Sequence, residues 1–192
     1  MSRSLFAATT AIVLLFAEAA PAAGALKTAV FAGGCFWSAE HDIEHAAGVV
    51  SVDVGYAGGT RKNPSYEDHE GFLEVVRVTY DPAKTSYSQL VGTFFRHIDP
   101  TDPNGQICDQ GPSYRTAVFV ADPAERAAAE QVRAQVAKTL GRSVATKILP
   151  ASRFWMGEGY HQDYARKNPA HYNLYRVGCG RDARIKAVWG GR

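Results

Sequence analysis

Several features that would assign this chain by composition alone are scarce or missing. Its 21 Lys and Arg nearly balance 19 Asp and Glu, for a net charge of +2, and nowhere do five basic residues run together. That leaves no electrostatic reason to expect nucleic acid or an acidic membrane as partner. No Cys-x-x-Cys or His-Glu-x-x-His spacing occurs, so neither a structural nor a catalytic zinc site is expected. There is no internal repeat. Cysteine is limited to three residues, Cys35, Cys108 and Cys179, an odd number that leaves one thiol over from any set of structural disulfides.

Long apolar runs are also few. One spans Ala11 to Ala17, with Arg3 before it and Ala-Ala-Pro-Ala-Ala after it, and it is too short to cross a bilayer core of ~30 Å. Residues 1–23 therefore read as a secretory signal peptide, and residues 24–192 as one exported domain, periplasmic or secreted, with no stable membrane association after cleavage. An odd thiol in an oxidising compartment points to redox chemistry.

What the chain does have is centred on Val30 to His41. Val30, Phe31 and Ala32 end a strand, Gly33-Gly34 turns the chain, and helix-forming residues follow from Ser38, which places Cys35 at a helix start. A helix N-terminus favours thiolate over thiol, so a lowered Cys35 pKa is expected. Phe36 and Trp37 put an apolar aromatic wall beside that sulfur. The helix is expected to end near Gly48, before an alternating strand from Val49 to Tyr56. The loop 57–71 is long for a connector and is a candidate functional segment. In the strand from Leu73 to Tyr80, Glu74 shares a face with Val76, Val78 and Tyr80 and should point toward the core. A carboxyl placed there loses solvation and can stay protonated near neutral pH as a proton donor.

Ser86 or Thr85 caps an amphipathic helix bearing Leu90, Val91, Phe94 and Phe95, and a Pro- and Gly-rich loop runs from Asp99 to Arg115. A strand over 116–121, a helix from Asp122-Pro123 to Leu140 and a strand over 144–149 complete the core. The order strand, helix, strand, strand, helix, strand predicts an α+β fold: a ferredoxin-like split βαβ two-layer sandwich with an extra helix and strand and a long irregular C-terminal tail. In that tail Gly178-Cys179-Gly180 gives a sulfur free to swing toward another.

In chain order, Gly34-Cys35-Phe36-Trp37, Gly55-Tyr56-Ala57-Gly58-Gly59, Asn63-Pro64-Ser65-Tyr66, Glu74-Val75-Val76, Tyr80-Asp81-Pro82, Asp99-Pro100-Thr101, Asp109 with Gly111, Tyr114-Arg115-Thr116 and His161-Gln162-Asp163-Tyr164 resemble the type A peptide methionine sulfoxide reductases. The resemblance implies that Cys35 is the nucleophile, that Phe36 and Trp37 hold the substrate methyl, and that Glu74 donates a proton to the sulfoxide oxygen. It further implies that Tyr66 and Tyr114 hydrogen-bond that oxygen and that Asp109 positions reacting groups. Cys179 then resolves a Cys35 sulfenic acid to a disulfide, and a thioredoxin-like dithiol recycles the enzyme. The resemblance also implies that the substrates are free methionine S-sulfoxide and oxidised proteins and that neither metal nor organic cofactor is required; the chain is expected to act as a monomer. Three positions depart from the family pattern: Phe72 where His is common, Cys108 where Asn is common, and Ser113 where Gln is usual. Cys108 directly precedes Asp109 and so competes with Cys179 to resolve Cys35. Two other readings are a papain-like hydrolase, with His161 as base to Cys35, and an exported metal carrier, although six His and two Met form no ligand cluster in the sequence.

Overall fold

The computed structural model describes residues 24–190, so the expected signal peptide at 1–23 lies outside the described residues. Its centre is β1 (Lys27–Ala32), which pairs antiparallel with β3 (Leu73–Tyr80) on one side and with β6 (Ala117–Val120) on the other. β2 (Val49–Ala57) pairs antiparallel with β3, with Tyr56 opposite Glu74. β7 (Lys147–Pro150) adds parallel to β6, and the short β8 (Trp155–Met156) adds to β2. The resulting mixed sheet runs β7-β6-β1-β3-β2-β8. A separate hairpin, β4 (Gly105–Gln106) with β5 (Asp109–Gln110), stands inside the 99–115 loop.

The period-2 pattern of β3 puts Glu74, Val76, Val78 and Tyr80 on one face, all buried. Packed on that face are α2 (Tyr87–Arg96) and α3 (Pro123–Leu140). The Ser86 hydroxyl accepts from the Gln89 N–H while the Gln89 side chain accepts from the Ser86 N–H, a complete capping box. Asp122 caps α3 and Gly141 ends it in the left-handed region. Phe31 of β1 stacks on Phe94 of α2 at 4.8 Å, and each such buried ring contributes about 1.5–3 kcal/mol.

Two boundaries differ from the sequence reading. α1 (Phe36–Ile43) is a turn shorter than expected, because the chain is capped at Glu44 and leaves the helix before Gly48. The tail is not irregular: beyond β8 it forms α4 (Tyr164–Lys167), α5 (Pro169–Gly178) and α6 (Arg181–Trp189). Gly180, at φ +64°, makes the left-handed break between α5 and α6. These helices are bolted down at long range. Arg181 is buried, with its Nε 3.1 Å from Asp42 Oδ2 and its Nη2 donating to the His97 carbonyl, and the Trp189 indole donates to the Ile98 carbonyl at 3.0 Å. Cys179, expected in a freely swinging segment, instead closes α5 within this anchored unit.

Truncating Arg181 removes its bonds to Asp42 and to the His97 carbonyl, but Asp42 keeps Arg176 at 2.7 Å, so the cost falls at the low end of the roughly 3–5 kcal/mol typical of a broken buried pair. Arg181→Ala should therefore lower the unfolding free energy by about 3 kcal/mol, read from urea unfolding with unchanged m-value. A change under about 0.5 kcal/mol would mean that the tail contributes nothing to the stability of the fold.

Candidate active site

Cys35 is the N-cap residue of α1, placed where β1 ends and Gly33-Gly34 turn the chain. Gly34 has φ +84°, and a Cβ there would lie 2.5 Å from Gln106 Cβ. Only glycine lets the 99–115 loop approach the cysteine this closely. Gln106 is itself buried, its amide bonded both ways to the Asp99 backbone at 2.7 and 3.0 Å, which fixes the hairpin over the turn.

A small cavity of about 180 Å³ results, lined by Cys35, Phe36, Trp37, Tyr66, Glu74, Asp109, Tyr114 and Tyr175. Seven of these eight are among the residues singled out in the sequence. The fold brings them from β1–α1, β3, the two long loops and α5. Tyr114 arrives on a 3-10 turn, Pro112–Tyr114. Tyr66 is held by Glu158, which accepts the Tyr66 N–H at 2.8 Å and the Tyr56 hydroxyl at 2.9 Å.

Glu74 Oε2 accepts the Phe36 N–H at 2.9 Å, so the carboxyl caps the first free N–H of α1 and sits against the cysteine. Burial raises its pKa to about 8; this N–H opposes the shift and the Asp109 charge adds to it. At neutral pH it is largely a neutral acid. The expected depression of the Cys35 pKa is not found. Cys35 is 7% exposed, and burial, followed by the Glu74 charge, pushes the thiol up to about 12 against the opposing Tyr175 hydroxyl. The reason lies in the N-cap itself. The Phe36 N–H is given to Glu74, and the Ser38 N–H that still favours a thiolate is outweighed by desolvation of the sulfur.

Tyr175, missed in the sequence reading, links the parts. Its hydroxyl donates to Asp109 Oδ2 at 2.6 Å and also hydrogen-bonds the Cys35 sulfur. Burial raises the pKa of Tyr175, Tyr114 and Tyr66, so all three remain phenols at neutral pH and can donate. Burial also raises Asp109.

The aromatic wall is rigid. Trp37 stacks on Tyr164 at 3.8 Å, and its indole N–H donates to His161 Nδ1 at 2.9 Å. Burial lowers the His161 pKa, and its Nδ1 is occupied by the indole. His161 therefore buttresses Trp37 instead of serving Cys35 as a base, which removes the geometry a cysteine hydrolase needs. Glu40 fixes the same region by accepting the Asp163 and Tyr164 N–H groups.

The other two cysteines are bonded to each other. Cys108, in the two-residue tip between β4 and β5, forms a disulfide with Cys179 at the end of α5, while Cys35 is free. Both lie one step from the cavity. Cys108 precedes Asp109, and Cys179 follows Tyr175 by one helical turn, its N–H donating to the Tyr175 carbonyl. Among the described residues the one cluster with metal-ligand spacing is Cys108, Asp109 and Cys179, and two of its three members are tied up by this disulfide.

Comparison with known proteins bears out the family resemblance. Residues 27–192 match the family model described as peptide methionine sulfoxide reductase. The peptide methionine sulfoxide reductase MsrA 2 of Caulobacter vibrioides is 53% identical over 194 residues, covering 97% of each chain. The reduced form of Mxr1 from Saccharomyces cerevisiae superposes with a TM-score of 0.71 at 34% identity, covering 76% of this chain and 87% of that one. Mxr1 in complex with Trx2 matches with a TM-score of 0.53 at 27% identity, over 73% of this chain and 85% of that one.

Proposed function

The chain belongs to the peptide methionine sulfoxide reductase family, and from that premise we propose that it reduces methionine S-sulfoxide, free or in proteins, with Cys35 as nucleophile and Glu74 as acid. The observation that carries the reading is a free cysteine beside a carboxyl whose pKa is raised to about 8, in one small cavity ringed by phenols. A sulfoxide oxygen is a strong acceptor, so the Tyr66 and Tyr114 hydroxyls and protonated Glu74 polarise the S–O bond. Phe36 and Trp37 take the methyl group, and Asp109 orients the reacting groups through Tyr175.

As Cys35 sulfur attacks the sulfoxide sulfur, Glu74 gives its proton to the oxygen and regains one from the thiol. Collapse transfers the hydroxyl to Cys35, releasing methionine and leaving Cys35 as a sulfenic acid. The sulfoxide sulfur gains two electrons and Cys35 loses two. Cys179 then attacks that sulfenic sulfur, water leaves, and a Cys35–Cys179 disulfide forms. Attack by Cys108 on the Cys179 sulfur returns Cys35 to a thiol and leaves the Cys108–Cys179 bond, a product that matches the pairing in the structure. Cys108 thus enters as a third member where the sequence reading weighed it as a competitor. A thioredoxin-type dithiol restores the cycle, as the complex of Mxr1 with Trx2 suggests. Thiols carry the electrons throughout, so the scheme calls on no metal or organic cofactor.

Three further readings belong to this proposal. Residues 1–23 are a cleaved signal that exports the enzyme to the periplasm or beyond; N-terminal sequencing of the cell-envelope form should begin near Gly24, and an intact Met1 terminus in cytosolic protein would remove the idea. The four-strand unit β6-β1-β3-β2 is a ferredoxin-like split βαβ core, supported by its all-antiparallel order. The enzyme is also proposed to work as a monomer, a reading that sedimentation at the mass of one chain would support and sedimentation at twice that mass would remove.

The reading is tested by dithiothreitol-driven reduction of the two sulfur epimers of a blocked methionine sulfoxide. The S epimer should be reduced and the R epimer left; equal rates, or none, would reject the proposal. The pH profile follows from Glu74. An acid with a pKa of about 8 supplies its proton below that pH and loses it as pH rises through it. The rate of methionine release in a single turnover should therefore fall roughly tenfold per unit above pH 8. A rate still climbing at pH 9.5 would transfer control to Cys35 ionisation.

A further inference from the structure

The two sulfurs of the Cys108–Cys179 bond are not equivalent, and the proposed reductase cycle leaves open which of them the external thiol attacks. Resting on that cycle, we infer that Cys108 is the entry sulfur: the reducing protein forms its mixed disulfide with Cys108, and Cys179 is the leaving thiolate.

Cys108 is exposed, whereas Cys179 is half-buried. Cys108 occupies the tip of the β4–β5 hairpin, where Gln106 pairs with Asp109 and only Ile107 and Cys108 make the turn. Ile107 holds φ +62°, a costly conformation for a β-branched residue, and the turn carries Cys108 outward. A protein thiol must approach along the axis of the bond it breaks, with its own surrounding surface in tow. A two-residue hairpin tip admits that approach. Cys179 does not offer it, because it lies between α5 and α6, which Arg181 and Trp189 pin to the body.

The charges around the leaving sulfur balance: Cys179 lines a cavity of about 390 Å³ with Arg142, Arg184, Asp99 and Asp102, and Arg184 pairs with Asp99 at 2.6 Å. Access, and not local charge, therefore separates the two sulfurs. The Asp109 carboxylate lies within 4.8 Å of both sulfurs and does not discriminate between them.

The exchange balances as follows. The partner thiolate bonds to Cys108 sulfur, the bond to Cys179 breaks, and Cys179 leaves as thiolate and takes a proton from solvent. The partner's second thiol then attacks its own mixed-disulfide sulfur and releases Cys108, so the partner is oxidised by two electrons and this chain holds three thiols. Cys108 is therefore a catalytic residue of the reductive half of the cycle.

The test uses the wild-type protein, oxidised by methionine sulfoxide and mixed with a thioredoxin whose second cysteine is serine. After acid quenching and alkylation, tryptic peptides are mapped. The adduct should sit on peptide 97–115, which contains Cys108, at least roughly tenfold over peptide 177–181, with Cys179 alkylated. An adduct on 177–181, an even split, or no adduct while dithiothreitol opens the bond would each overturn the inference. Failure of the oxidation step itself, with no methionine released, would instead count against the reductase reading, so the two are separable.

Discussion

Cys35→Ser is expected to reduce sulfoxide reduction to background, a loss of at least about 10⁴-fold in kcat/KM with dithiothreitol as reductant. A serine hydroxyl is the same shape, but its oxygen cannot accept oxidation from a sulfoxide, and no neighbouring group can substitute. Cys108 and Cys179 lie outside the cavity lining, and the remaining lining residues are aromatic or carboxylic. The fold should be untouched, because Cys35 contributes its carbonyl, which accepts from Ser38 and Ala39, rather than its side chain to the start of α1. Unchanged thermal unfolding together with lost turnover would place the chemistry at this sulfur. Activity within tenfold of wild type would place it elsewhere.

Glu74→Gln carries the second-largest expected effect. The amide keeps the volume, and its oxygen can still accept the Phe36 N–H, but it has no acidic proton to give. Proton donation by a placed side chain is typically worth 10²–10⁴-fold, so single-turnover methionine release should slow by about 10³. The substitution also removes the nearest charge acting on Cys35. Once the Glu74 carboxylate is gone, the thiol should titrate below its value of about 12 and react faster with iodoacetamide at pH 9 than in the wild type. Slower methionine release with faster alkylation is a combination that general damage to the site would not give. If both fell together, Glu74 would be a packing residue for α1 and not the acid.

Much of this site could be read from the sequence wherever a short-range rule governs. The face of Glu74 followed from the two-residue period of a strand, and a cap at Ser86 or Thr85 and the helix opening at Asp122-Pro123 were visible as residue types, although the full capping box with Gln89 was not. The two long loops were marked by length, and both deliver residues to the cavity, Tyr66 from one and Asp109 with Tyr114 from the other.

Long-range terms were what the sequence hid. Tyr175 reaches Asp109 across 66 positions, and Trp37 meets His161 across 124. Nothing local marks such pairs; the clustering of Tyr, His and Asn in the tail was the one available signal. The same tail reads as irregular in the sequence because its helices depend on the buried Arg181 and Trp189 anchors, which no local pattern marks. The Cys35 pKa failed for a related reason. The helix-start rule is local, whereas burial of the sulfur and the placement of Glu74 beside it are products of the whole fold.

The account is most directly tested by one turnover without any reductant. Fully reduced protein is mixed with one equivalent of methionine S-sulfoxide, methionine is counted, and the free thiols are alkylated and mapped. The account predicts about one methionine per chain, with Cys35 alkylated and Cys108 and Cys179 protected as a pair. No methionine, or methionine formed with Cys35 left as a terminal disulfide partner while Cys108 is free, would contradict it.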